Sequence, residues 1–147
     1  MSRLRIASGV VALAGLAISA YLTIAHYAGA APVCAISHGC ATVQQSDYAA
    51  LAGIPVALLG LAGYGAILVT LLRDDESWRT ATAFLALGGL GFSAWLTYVE
   101  IWRLEAICIW CVASAICMVA LAGLSAARLL SAPAPPPPTL SARQASA

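Results

Sequence analysis

Residues 106–127 read AICIWCVASAICMVALAGLSAA, with no charged side chain and with two cysteines three positions apart near the start. An apolar helix of about 20 residues crosses a hydrocarbon core of about 30 Å. This stretch is therefore predicted to be a membrane-spanning helix whose first turn carries Cys108 and Cys111.

Three further stretches lack charge, because seven arginines and six acidic residues leave uncharged intervals at 6–46, 48–72 and 80–99 as well. We predict an all-α integral membrane protein, a bundle of four transmembrane helices with a short extracytoplasmic half-helix in the first outer loop. A domain at 1–130 contains the spans, and residues 131–147 form a disordered, proline-rich cytoplasmic tail. The predicted spans are 6–27, 54–72, 80–101 and 107–128.

The composition excludes several classes of protein. Hydrophobic residues make up 62% of the chain and charged residues 9%, so that four spans leave no room for a soluble catalytic domain. The net charge is +1 and there is no basic block, which argues against a nucleic-acid partner.

The arginines predict an orientation. Positive side chains collect on the cytoplasmic side of membrane proteins. With a cytoplasmic N-terminus only Arg103 lies outside, and segments 28–53 and 102–107 face the extracytoplasmic side of a bacterial cytoplasmic membrane. The six arginines on the cytoplasmic side are Arg3, Arg5, Arg73, Arg79, Arg128 and Arg143.

Four of the five cysteines fall on the predicted outer face, at positions 34, 40, 108 and 111. Disulfides persist in oxidising compartments such as this one. At a helix start, unpaired N–H groups and the helix dipole stabilise a thiolate. A CxxC there is typical of a pair that cycles between dithiol and disulfide, although CxxC also binds metals.

The second pair, Cys34 and Cys40, closes a loop too short for a disulfide to contribute much stability through chain entropy. Such a pair suits thiol–disulfide exchange with a soluble protein and with a neighbouring CxxC. The chain contains no haem motif, dinucleotide fingerprint or iron–sulfur spacing, so a lipid-soluble quinone is the predicted electron acceptor.

Two other interpretations remain open at this point. The four thiols and His38 suit soft metal ions, which predicts a thiolate metal-binding membrane protein. Alternatively, the cysteines form structural disulfides or are simply apolar packing residues. Near the outer end of the third span, Glu100 is expected to pair with Arg103 one helical turn away.

The order Cys34-x5-Cys40-x5-Ser46, then Gly53-Ile54-Pro55, then a CxxC at the start of the fourth helix resembles the vitamin K epoxide reductase family over about residues 5–128. Within the family, the chain looks like the bacterial thiol-oxidising members without a fused thioredoxin domain. The resemblance implies an oxidoreductase that passes electrons from a separate extracytoplasmic thioredoxin-like or DsbA-like protein to a quinone, and so supports disulfide bond formation. The alternative activity within this chemistry is vitamin K epoxide or quinone reduction.

The resemblance also implies residue roles. Cys108 and Cys111 are the redox centre, with Cys111 facing the quinone, and Cys34 and Cys40 are the exchanging shuttle pair. The acceptor is of the ubiquinone, menaquinone or phylloquinone type, and no metal takes part.

Ser46, Gly53 and Pro55 belong to the quinone site in the same resemblance. Local physics gives them structural roles as well: Ser46 caps a short helix at 47–52, and Gly53 and Pro55 form a turn and the start of the second span.

Overall fold

The structure, a computed structural model, describes residues 2–36 and 38–131, and most of them are helical. Two pairs of residues form a small antiparallel hairpin between the second and third helices. The elements are α1 (Arg3–Tyr27), α2 (Gly39–Gln44), a 3₁₀ turn (Asp47–Ala49), β1 (Ala50–Leu51), β2 (Ile54–Pro55), α3 (Val56–Thr70), α4 (Glu76–Trp102) and α5 (Ile109–Leu130).

Three of these helices, α1, α4 and α5, are long and apolar enough to cross a membrane. The helix of the second predicted span is shorter than expected: α3 has 15 residues and a length of about 22 Å. The prediction of 54–72 is wrong at both ends: Ile54 and Pro55 pair in β2, and Leu72 closes a final turn by donating its N–H to the Val69 carbonyl.

The helices α1, α3, α4 and α5 form a closed arrangement in which α1 packs against α3 and α5, and α4 packs against α3 and α5. Small residues permit these close approaches, as is common in membrane bundles. Gly15 of α1 lies against the ring of Tyr64, and Gly89 of α4 lies against Met118. The Tyr64 side chain is fully buried, and its hydroxyl donates to the Ser114 carbonyl at 2.8 Å, which ties α3 to α5.

The segment between α1 and α3 differs from the prediction of a short helix at 47–52. A 3₁₀ turn ends at Ala49, and the chain then reverses through Ala52 and Gly53, whose φ angles are 52° and 83°. Two consecutive positive φ angles define the turn type that suits a two-residue hairpin. The short helix lies earlier, as α2, and contains Cys40.

Arg5, Arg79 and Arg128 lie at the end of the bundle opposite to the cysteine pairs. Arg5 donates to the carbonyls of Leu71 and Leu72 at 2.6 and 2.7 Å, which satisfies backbone acceptors that follow the last turn of α3. Arg143 and the predicted tail lie outside the described residues, apart from Ser131, which caps α5.

Asp74 joins two helices at this end by accepting from Arg79 at 2.9 Å and from Arg128 at 2.8 Å. These hydrogen bonds lower the pKa of Asp74 from 3.8 to about 2. Because the pKa is lowered in the folded state, the stabilisation is present above pH 3.8 and is lost as the pH falls towards 2. The Arg128 side chain is only 3% exposed, and Asp74 is the carboxylate that compensates its buried charge.

Asp74→Asn should lower the free energy of unfolding by about 1–3 kcal/mol, since it leaves the buried Arg128 guanidinium without its carboxylate. Thermal unfolding of the purified protein at pH 7 measures the effect. Asp75→Asn is the matched control, because Asp75 is exposed and its side chain makes no capping bond. Equal melting temperatures for the two variants would contradict this account of the arginine end.

Candidate active site

Four cysteines meet in one cluster at the end of the bundle opposite to Arg5, Arg79 and Arg128. Cys40 and Cys108 are fully buried there, and Cys34 and Cys111 pack against them. A disulfide joins Cys34 to Cys40, with a Cα–Cα distance of 6.1 Å, while Cys108 and Cys111 are free thiols. The structure therefore holds the first pair oxidised and the CxxC pair reduced, side by side.

The CxxC pair lies at the start of α5, although the helix begins two residues later than predicted. Cys108 precedes the helix with an extended backbone, and its carbonyl accepts the helical hydrogen bond from the Val112 N–H at 3.0 Å. Cys111 is in the first turn. Both thiols thus remain near the positive end of the helix, where backbone N–H groups stabilise a thiolate.

Gly39 brings α2 against the segment that leads into α5. A Cβ atom at this position would lie 2.5 Å from the carbonyl oxygen of Ile107 and 2.7 Å from its nitrogen. Only glycine permits this approach, because the neighbouring atoms are backbone and cannot rotate away. The contact places Cys40, the next residue, beside Cys108.

The segment before Cys34 is fixed from two sides. The Val33 N–H donates to the Tyr21 hydroxyl at 2.9 Å, and the Trp110 indole N–H donates to the Val33 carbonyl at 2.8 Å. The rings of Tyr21 and Trp110 are themselves in contact, with centroids 5.0 Å apart. The residue inside the CxxC thus holds the first cysteine pair in place.

An apolar cavity of about 480 Å³ opens beside this cluster, walled by residues of α1, α3, α4, α5 and the segment between α1 and α3. Its volume is within the range of pockets that bind small organic molecules. A few polar side chains interrupt the apolar wall near the cysteines, among them Gln44, Ser46, Glu100 and Ser114.

The two thiols of the CxxC face different neighbours. Cys111 lines the cavity and Cys108 does not, whereas Cys108 lies in the buried cluster with Cys40. The amide nitrogen of Gln44 lies 3.9 Å from the Cys111 sulfur. One thiol is therefore placed to meet a molecule in the cavity, and the other to meet the first cysteine pair.

Ser46 also lines the cavity. The prediction that its hydroxyl caps the following turn is wrong, because the side chain makes no capping hydrogen bond there. It turns back and donates to the Val43 carbonyl at 2.7 Å. Gly53 and Pro55 are not lining residues: Gly53 occupies the exposed hairpin turn, and Pro55 immediately precedes α3. Gly53 and Pro55 therefore lie outside the cavity wall, in the hairpin that leads into α3.

Sequence reasoning missed the position of Glu100. Its carboxylate accepts from the Cys108 N–H at 3.1 Å, and its side chain is buried. Among the ion pairs of the described residues none joins it to Arg103, which is exposed, so the expected pairing is wrong. The available signal was an acidic residue at the end of an uncharged span, eight positions before a CxxC.

The remaining candidates lie elsewhere. Cys117 packs against the main core cluster, and His38 is exposed just before α2. Within residues 2–36 and 38–131, no three or more His, Cys, Asp or Glu side chains are grouped to hold a metal ion.

Long apolar helices that enclose a cluster of exchange-competent thiols define a class of membrane redox proteins. The sequence model of the vitamin K epoxide reductase family matches residues 6–126, and the chain belongs to that family. The resemblance found in the sequence is thereby confirmed, and with it the general assignment as a membrane oxidoreductase. No curated protein matches the chain.

Gly39→Ala should separate α2 from the start of α5 and slow the formation of a Cys40–Cys108 bond. The test uses a chain with Cys34→Ala and Cys111→Ala, in which mild oxidation joins the two remaining thiols of the cluster. The rate is read by mass spectrometry of non-reduced peptides. Gly9→Ala is the control, because a Cβ there meets nothing within 4 Å. Equal rates of bond formation in the Gly39→Ala and Gly9→Ala variants would show that the glycine contact does not position Cys40.

Proposed function

We propose that this protein is a quinone-dependent thiol oxidoreductase that oxidises a separate extracytoplasmic thioredoxin-like or DsbA-like protein and so supports disulfide bond formation. The observation that carries the proposal is the placement of Cys111 on the wall of an apolar cavity while Cys108 lies beside Cys40. This is the arrangement that a two-stage thiol relay ending at a lipid-soluble acceptor requires.

The first stage exchanges disulfides with the protein partner. Cys34 is more exposed than Cys40, so a partner thiolate attacks the Cys34 sulfur and leaves a Cys40 thiol. The second partner thiol then displaces Cys34, and the partner leaves with a disulfide. Two electrons have moved to the Cys34 and Cys40 dithiol in this stage.

The second stage transfers the pair of electrons to the CxxC. Cys40 attacks Cys108 of an oxidised Cys108–Cys111 pair, and Cys34 then attacks Cys40. This restores the Cys34–Cys40 disulfide and leaves Cys108 and Cys111 as thiols, which is the state that the structure shows. Re-forming the Cys108–Cys111 bond releases two electrons and two protons.

A quinone supplies the acceptor for those two electrons and two protons when it is bound. The cavity fits such a group, since its wall is mainly apolar and the amide of Gln44 lies 3.9 Å from the Cys111 sulfur. Gln44, with an amide N–H donor, and Ser46, whose hydroxyl oxygen keeps acceptor capacity, are the residues positioned to orient a polar ring substituent. Ubiquinone, menaquinone and phylloquinone headgroups are the candidate classes.

We further propose that α1, α3, α4 and α5 all span a bacterial cytoplasmic membrane, with both termini in the cytoplasm and the cysteines on the other side. The short α3 can still span the membrane, because a helix shorter than the hydrocarbon core is tolerated when the bilayer thins locally. The arginines at the end opposite to the cysteines support this orientation.

Replacing Cys108 or Cys111 with Ala should abolish quinone reduction by a reduced thioredoxin-fold protein in reconstituted membranes, because neither variant can close the second disulfide. The loss of the quinone absorbance measures the rate. Cys117→Ala is the control, since Cys117 packs in the core away from the cluster, and it should retain the rate of the unmodified protein. Undiminished quinone reduction by the variant at Cys108 or at Cys111 would contradict the proposed relay.

A further inference from the structure

Glu100 is a carboxyl group in unusually apolar surroundings. It lies in the last turn of α4 and is 4% exposed. Among the described residues that line the cavity, it is the only one with a side chain that is charged at neutral pH in water. Burying a carboxylate is costly unless neighbouring groups compensate, so its contacts show what holds it there.

Those contacts all come from the start of α5. The Cys108 N–H donates to the Glu100 carboxylate at 3.1 Å in a buried hydrogen bond, and the Cys111 thiol interacts with the same carboxyl group. The positive end of a helix dipole favours a negative charge at this position. The carboxylate therefore occupies the place where the helix would otherwise stabilise a thiolate.

We propose that Glu100 is a positioning residue whose carboxylate opposes the thiolate forms of Cys108 and Cys111 and thereby makes the pair a stronger electron donor. A carboxylate disfavours a second negative charge nearby. When a thiolate stabilises the reduced form of a cysteine pair, the disulfide form of that pair is a strong oxidant. A negative charge that opposes the thiolate therefore lowers the reduction potential of the pair. The pair then releases its two electrons and two protons to a quinone more readily. This last step rests on the function proposed above.

Few other charges act on this group. The start of α5 contributes the two thiols, α2 contributes a neutral amide, and the 3₁₀ turn and α3 contribute neutral hydroxyls to the cavity wall. The two charged residues in the loop after α4 are exposed, where water and salt screen them. The residues on these elements are Cys108, Cys111, Gln44, Tyr48, Tyr64, Arg103 and Glu105.

Glu100→Gln isolates the charge, because glutamine keeps a side-chain oxygen for the Cys108 N–H. The full chain, purified without quinone, is equilibrated with reduced and oxidised dithiothreitol at pH 8. The redox state of Cys108 and Cys111 is then read by alkylation and mass spectrometry. Glu100→Gln should shift the equilibrium towards the dithiol by three- to tenfold, which is about 15–30 mV for a two-electron couple.

Two controls separate charge from structure. Glu105→Gln removes an exposed charge from the loop after α4 and should leave the equilibrium unchanged. Glu100→Asp keeps the charge and should lie closer to the unmodified protein than Glu100→Gln does. If Glu100→Gln does not fold, Glu100→Met supplies a neutral side chain of similar length and should shift the equilibrium in the same direction.

A folded neutral variant with an unchanged equilibrium, or with one shifted towards the disulfide, would overturn the role of Glu100. Because no quinone is present, the expected shift stands even if the unmodified protein fails to reduce quinone, in which case the proposed function alone is rejected. Conversely, normal quinone reduction with an unmoved equilibrium in Glu100→Gln rejects only the role of Glu100.

Discussion

The close approach of α2 to the residues before α5 is the constraint on which the site depends. Gly39 lies directly on the backbone of Ile107, so Cys40 and Cys108 share one buried cluster. Hydrogen bonds from Val33 to Tyr21 and from Trp110 to Val33 hold the preceding segment in the same position. Two cysteine pairs that are about 70 residues apart in the chain thereby become neighbours, which is what thiol–disulfide exchange requires.

The bundle separates its polar interactions into two ends. At one end, Arg5 and Asp74 tie helix ends together. At the other, the cysteine cluster and the buried carboxylate of Glu100 lie beside an apolar cavity. The wall between them consists largely of small and apolar residues. Such a composition suits an enzyme whose proposed electron acceptor is dissolved in lipid.

Much of this could be predicted from the sequence, because the signals were local or ordered along the chain. Uncharged intervals predicted the long helices, and the order of cysteines, Ser46 and the Gly-Ile-Pro sequence predicted the family, which is confirmed. The length of α3 and the position of α2 were mispredicted, since a hairpin turn and a contact with Ile107 determine them. Glu100 was assigned to Arg103 because its real partner, the Cys108 N–H, depends on how the loop after α4 folds. The separate roles of the four cysteines, the quinone, the protein partner and the orientation stay predictions.

The central claim is that reduced Cys108 and Cys111 deliver their electrons to a quinone in the adjoining cavity. The most direct measurement mixes the fully reduced, purified protein with an oxidised quinone in the absence of oxygen and maps every disulfide by mass spectrometry. The account predicts that a Cys108–Cys111 disulfide appears together with one quinol for each bond formed. A quinone that remains oxidised while both thiols stay reduced would contradict the account.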